Sequence, residues 1–226
     1  MLWQIDVFRR ILSCAAFAAL LFAAWFYWPW RAIPRPPGIL APAEPVQGSI
    51  GKIALGTVHG FTIEGLATYD LTARVLRTKH YHSGAASKLV PFDVAVAWGP
   101  MSDQTVLDQL RITQGNRFFF YRWRDAPPLP AAQMVNHAAN MHVISANSKV
   151  ASVVRWLRPG ELVKMSGYLV NVRGPRGFHW NSSLTRTDSG SGACELFYVQ
   201  SAETVPVDTA QLVPPASSLA RLNGKR

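Results

Sequence analysis

Twenty consecutive residues without a charge, Ile11 to Trp30, restrict this chain more than any other feature. A helix rises about 1.5 Å per residue, so the run spans about 30 Å, the thickness of a bilayer's hydrocarbon core. Trp25, Phe26, Tyr27, Trp28 and Trp30 crowd its far end, and rings of this kind favour the headgroup level. Arg9 and Arg10 precede the run and Arg31 and Arg35 follow it; the N-terminal amine tips this near balance toward a cytoplasmic N-terminus. A cleaved signal peptide wants small residues just after its apolar stretch, and here bulky aromatics and Pro29 stand there. Cys14 comes only four residues past Arg10, too early for a lipid-modified cysteine, and the VFRRILSC context fits a twin-arginine signal poorly. The expectation is a cytoplasmic tail and retained anchor over 1–31, single-pass in a bacterial inner membrane, with the rest of the chain periplasmic.

Residues 32–47, AIPRPPGILAPAEPVQ, carry five prolines. Proline removes a donor and fixes φ, which forbids helix and sheet interiors. The stretch reads as an extended spacer, about 3.1 Å per residue, reaching up to ~50 Å. The end of the chain, 205–226, is Pro-, Ala- and Ser-rich and reads as disordered. Between them, 48–204 form one β-rich soluble domain.

Within that domain the apolar periodicity is mostly two. YDLTARVL (Tyr69–Leu76) alternates cleanly and runs on toward His82, FDVAVAW (Phe92–Trp98) is a strand, and so are Lys52–Val58 and Met141–Ser145. RFFFYRW (Arg117–Trp123) has aromatics on both faces, which predicts burial on both sides. Ser102 reads as the cap of a short helix over Val106, Leu107 and Leu110. A second helix has Val150, Val153, Val154 and Leu157 at i, i+3, i+4 and i+7 behind an Asn147 or Ser148 cap. The segment 160–200 then supplies two apolar strands, Glu161–Val172 and Ala193–Gln200, around a polar stretch. Gly167 marks a bulge in the first, and DSGSG (188–192) reads as a hairpin turn joining Trp180–Arg186 to the second. Strands outnumber helices, and no βαβ rhythm appears. The fold class expected is mainly β (α+β): a transmembrane helix, then a small antiparallel barrel or sandwich, possibly OB-like, with about two short helices.

Lys plus Arg exceed Asp plus Glu by 23 to 13, and after Arg35 the balance is still 19 to 12. Such a surface attracts anionic polymers and headgroups. The polar stretch offers a recognition site: His179 and Trp180 as stacking faces, Arg186 as a forked donor beside Asp188, and Arg173 with Arg176 a short loop away. His142, in the amide- and imidazole-rich NHAANMH run, is a further candidate. His80 and His82 face one way on a strand and are weak metal candidates, since no ligand spacing accompanies them. Cys194 reads as a small core residue rather than a nucleophile, and Cys14 lies in the anchor, so no intrachain disulfide is expected. The sequence predicts no cofactor and no catalytic residue. It leans away from an enzyme, the alternative being a small membrane-anchored hydrolase assisted by a histidine-bound metal. Partners expected are the bilayer through Ile11–Trp30 and an anionic envelope polymer or membrane-protein partner; nucleic acid is not expected.

Overall fold

The computed structural model describes residues 2–26, 31–84, 86–185, 190, 193–207 and 213, with side chains from Phe8 onward. The chain divides into two compact units, 1–31 and 32–226. The first holds α1 (Leu2–Phe26), whose apolar side chains are exposed all round, Phe17, Leu20, Phe22 and Trp25 among them. Its Phe8–Phe26 portion is long and apolar enough to cross a membrane. Arg31 lies over the Trp25 ring, 4.1 Å from its centroid.

The second unit is mostly β. It contains β1 (Val46–Val58), β2 (Phe61–His80), β3 (Phe92–Ala97), α2 (Gln104–Leu107), β4 (Arg111–Gly115), β5 (Phe118–Arg122) and α3 (Ala131–Asn136). These are followed by β6 (Ala138–Ser145), α4 (Ser148–Trp156), β7 (Leu162–Arg173), β8 (His179–Asn181) and β9 (Leu196–Val205). Antiparallel pairing joins β2 to β3, β3 to β6, β9 to β7 and β7 back to β2, and a parallel pairing joins β6 to β9. These five strands therefore pair in a closed circuit. β1 adds to the first half of β2, and β8 adds to the end of β7. β4 and β5 form a separate hairpin.

Alternation explains the long strand. Phe61, Ile63, Gly65, Ala67, Tyr69, Leu71 and Ala73 of β2 are buried while the residues between them are half-buried or exposed. The main core joins that face to Val94 and Val96 of β3, Met141 and Val143 of β6, Met165 and Leu169 of β7, and Phe197 and Val199 of β9. Tyr69 meets Phe197 edge-to-face, with centroids 5.4 Å apart. α4 completes this core with Val150, Val154 and Leu157. Asn147 is its cap, accepting the Val150 N–H at 3.0 Å as the sequence pattern required.

Several expectations are corrected by packing. The strand expected from Tyr69 begins at Phe61. Ser102 is not the helix cap; it ends a 3-10 turn (Gly99–Ser102), and Asp103 caps α2 by accepting from Thr105 N–H. Buried Ser102 instead donates to Gly99 O and accepts from Ala41 N–H. β5 is not buried on both sides: Phe119 and Tyr121 pack inward, while Phe120 is 52% exposed. β8 pairs with β7 and has no ladder to β9; the two arms of the expected hairpin meet only through Ser183 N–H to Cys194 O and Leu196 N–H to Ser182 Oγ among the described residues, and residues 186, 188, 189, 191 and 192 lie outside them. The proline-rich stretch is not a free spacer over its whole length. Ile33 N–H bonds Pro159 O, Gly38 N–H bonds the Asp103 carboxylate, and Leu40 and Ala41 sit in the main core. Proline forbids a ladder, but it leaves side chains and scattered N–H groups free to dock. Of the tail, β9 claims Val205, and Val213 bridges to Ile39; 208–212 and 214–226 lie outside the described residues.

Gly167 does mark a bulge, where the β7–β9 register shifts between Ser166 and Gly167. Close approach, not an unusual φ, explains it: a Cβ at Gly167 would stand 2.1 Å from Tyr198 O. Gly167→Ala is expected to cost about 2 kcal/mol or more in stability, because the obstructing atom is backbone in a core strand. Gly51→Ala, where a Cβ meets nothing within 4 Å, serves as control and should be near neutral. Urea denaturation of both variants checks this.

Candidate functional site

All six residues of β3 are buried, and one of them is a carboxylate, Asp93. Phe92, Val94 and Val96 face the main core, so Asp93 points to the opposite face with Ala95 and Ala97. Register places His142 of β6 directly across from Asp93 and Asn140 across from Ala95. A buried charge needs partners, and Asp93 has two on one oxygen. His142 Nδ1 is 2.9 Å and Arg117 Nη1 is 2.8 Å from Oδ1.

Arg117 reaches Asp93 from the tip of the β4–β5 hairpin. The two turn residues, Asn116 and Arg117, both have positive φ, 51° and 68°. A two-residue hairpin turn of this type requires that. Asparagine tolerates it, while arginine pays a steric penalty through its Cβ. Arg117 is held there from every side. Its N–H donates to Tyr81 Oη at 3.0 Å, and its carbonyl accepts from Asn140 Nδ2 at 2.9 Å and weakly from Cys194 Sγ at 3.8 Å. Its guanidinium lies 3.8 Å from the Tyr81 ring centroid and 5.6 Å from that of Trp180. Strained residues persist where the surroundings over-determine them, and such places cluster at functional sites.

Trp180 of β8 packs beside His142, ring centroids 4.7 Å apart. With Arg117, Phe118, His179, Asn181 and Cys194 these two rings line a cavity of about 350 Å³. A second cavity of about 290 Å³ adjoins it, sharing Phe118 and Cys194. Among the described residues, Nε and Nη2 of Arg117 have no protein partner. The cavity therefore presents unengaged guanidinium donors between aromatic faces. Burial raises the Tyr81 phenol above its ordinary pKa; the Arg117 N–H bond opposes this and the nearby Asp93 adds to it. Tyr81 thus remains a neutral hydroxyl at physiological pH.

Of the residues the sequence singled out, His142, His179 and Trp180 come together here. Arg173, the last residue of β7, and Arg176, on the β7–β8 connection, are exposed and do not line the cavity. Arg186 and Asp188 lie outside the described residues. Asn140 belongs to the NHAANMH run that the sequence marked; Asp93, Arg117 and Tyr81 went unnoticed, although two of them left a trace. An aspartate inside FDVAVA is a charge at a core position, and GNR between two strands is a turn. Cys194 was expected inside a core strand. It instead sits in a bend before β9, half-buried between the two cavities.

The other histidines lie elsewhere. His137 bonds its own helix through Gln133 O, 2.7 Å away. His80 and His82 stand at the end of β2 and just beyond it, rings 4.0 Å apart, with His80 stacked on Phe92. Among the described residues no three His, Cys, Asp or Glu side chains are grouped to hold a metal. Burial against its neighbours lowers the His80 pKa first, and repulsion from His82 and Arg155 lowers it further. His82→Ala should therefore raise the His80 pKa part of the way toward the ordinary histidine value, since the burial remains. A proton NMR titration of the imidazole resonances measures it; an unchanged midpoint would remove His82 as a cause.

The chain matches no family model, no curated protein and no solved structure.

Proposed function

We propose that this chain is a membrane-tethered binding protein whose domain grips an anionic group of an envelope partner in the cavity between Arg117 and Trp180. The observation that carries the reading is Arg117: strained, fixed by five neighbouring groups, lining the cavity, and with Nε and Nη2 unengaged among the described residues. A preorganised planar cation between aromatic faces suits a carboxylate or phosphate, and its geometry is set before the ligand arrives. The order of the five-strand circuit, with α4 between its third and fourth members, supports reading the domain as an OB-like barrel. Such barrels bind on the face of their second and third strands and at the loops flanking it. Here that face belongs to β3 and β6, which carry Asp93, Asn140 and His142. That comparison bears on architecture and leaves the ligand to the site chemistry.

Retention of α1 as an anchor and a periplasmic domain belong to the same reading, supported by the uncharged run behind Arg9 and Arg10. The protein should then stay with membranes after a carbonate wash, and protease added to spheroplasts should digest the domain. Release by carbonate would defeat the anchor, and protection would reverse the orientation.

Full-length protein in nanodiscs, probed with inorganic phosphate and with polyglutamate, tests the site. Both probes are expected to shift the Arg117 Nε and Trp180 indole NMR signals. Arg117→Lys should weaken binding about tenfold or more, because the forked geometry is lost, while Trp180→Phe keeps the fold and weakens it less. Melting temperatures of the same variants separate binding loss from unfolding. Probes that leave both signals unmoved would sink the reading. A hydrolase reading draws on Cys194 sharing the cavity with the Asp93–His142 pair. It requires an activated thiol, so slow alkylation of Cys194 by iodoacetamide at neutral pH would dismiss it.

A further inference from the structure

The second cavity, about 290 Å³, lies between two strand edges. On one side is β5. Gly115 and Phe118 flank a two-residue turn and bond each other, so Phe118, Phe120 and Arg122 direct their backbone groups toward β4. Phe119 and Tyr121 direct theirs away, and neither makes a backbone bond beyond the hairpin. On the other side is β6. Trp98 N–H bonds His137 O, and His142 N–H bonds Glu195 O on the opposite edge. The antiparallel ladder alternates, so Ala138 and Asn140 face the same edge as His142. β9 begins only at Leu196, opposite His142, and does not reach them. Phe119, Tyr121, Ala138 and Asn140 all line the cavity, and their outward N–H and C=O groups have no backbone partner among the described residues.

Open edges are normally shortened, charged or covered. Two of them facing one apolar cavity form a slot for a strand. Its walls are mostly apolar, Phe118, Phe119, Phe120, Val135 and Ala139 among them, with Asn140 and the buried Glu195 as polar members. Beyond Tyr121 the slot ends at Arg122. This residue stands opposite Arg111 across the hairpin with Arg124 nearby, and none of the three forms an ion pair with a described acid. Like charges directly opposite are unfavourable, and an acidic partner relieves them.

We propose that this slot binds an extended peptide segment of a partner protein, added as a strand along β5 and β6, with apolar side chains in the cavity and acidic residues at the Arg111–Arg122 end. Main-chain bonds supply the affinity of strand addition, and the alternate side chains supply the choice of partner. The inference rests on the two edges and the arginine pair, and stands or falls apart from the anion site at Arg117.

Full-length protein in nanodiscs is tested against a random twelve-residue peptide library displayed on phage, with amide hydrogen exchange followed by NMR. In the free protein the amides of Phe119, Tyr121, Ala138 and Asn140 should exchange fast while those of Phe118 and Phe120 are protected. Selected peptides should alternate apolar residues, carry acids at one end and protect all four amides. N-methylation at the peptide positions facing the edges should weaken binding about tenfold or more; methylation at the intervening positions should matter less than threefold, roughly the scatter of a solvent-facing amide. Arg122→Glu should reverse the charge preference. Protection of the four amides without peptide would show the edges already filled by the chain itself and overturn the proposal. Selection of no peptide that protects them would overturn it too. Peptide protection that persists when phosphate and polyglutamate fail to bind would show that only the Arg117 reading has fallen.

Discussion

One buried oxygen, Oδ1 of Asp93, joins the two parts of this domain. It lies in β3 with the carboxylate fully buried, and it accepts from His142 in the neighbouring strand and from Arg117 in the hairpin. Removing a carboxylate from water costs several kcal/mol, repaid only if the pairing is close and complete. Oδ1 is paired closely, and its contact with Arg117 binds the β4–β5 hairpin to the outer face of β3 and β6, whereas the buried Oδ2 has no partner among the described residues. The left-handed turn at Asn116–Arg117 follows from the same requirement. A strained arginine, costing on the order of 1–3 kcal/mol, is retained because its position places the guanidinium on the buried acid.

Architecture sets what surrounds that oxygen. The five-strand circuit puts the main core inside and leaves Asp93, Ala95, Asn140 and His142 on its outer side. The hairpin covers part of that side through Phe119, Tyr121 and Ile112 and leaves two gaps. One opens beside Trp180, where β8 extends β7; the other opens where β9 starts too late to pair with Ala138 and Asn140. Both cavities are thus places where secondary structure stops short, and Phe118 and Cys194 stand between them. Irregular edges carried on a rigid scaffold are where recognition is usually found.

Arg74 shows how the rest of the outer layer is tied down. It is 4% exposed, and burial, with Arg35 adding repulsion, lowers its pKa to about 10, so it stays charged at neutral pH. Nη1 donates to Ser102 O at 3.0 Å and Nη2 to the Gln104 side chain. Ser102 in turn receives Ala41 N–H, and Asp103 receives Gly38 N–H. The proline-rich segment is therefore docked by scattered single bonds, some to side chains and some to backbone carbonyls such as Pro159 O, because its prolines leave no continuous ladder.

Sequence by itself determined the features that depend on near neighbours. The apolar run ending in aromatics specifies a helix able to span a bilayer, period-two alternation specifies β2 and β3, and Asn147 with Val150, Val154 and Leu157 specifies α4 and its buried face. Gly167 announced a bulge because a glycine inside a strand pattern signals an approach too close for a Cβ. Three site residues, His142, His179 and Trp180, were legible as chemistry without a place. Tertiary structure decided the rest: that Asp93, Arg117, His142, Trp180 and Cys194 meet, that RFFFYRW forms a half-exposed hairpin strand, and that two edges are left open. The physical reason is register. Which side chains stand opposite one another depends on which strands pair and in which direction, and here the parallel β6–β9 pairing and the return of β7 to β2 bring together residues up to 111 positions apart.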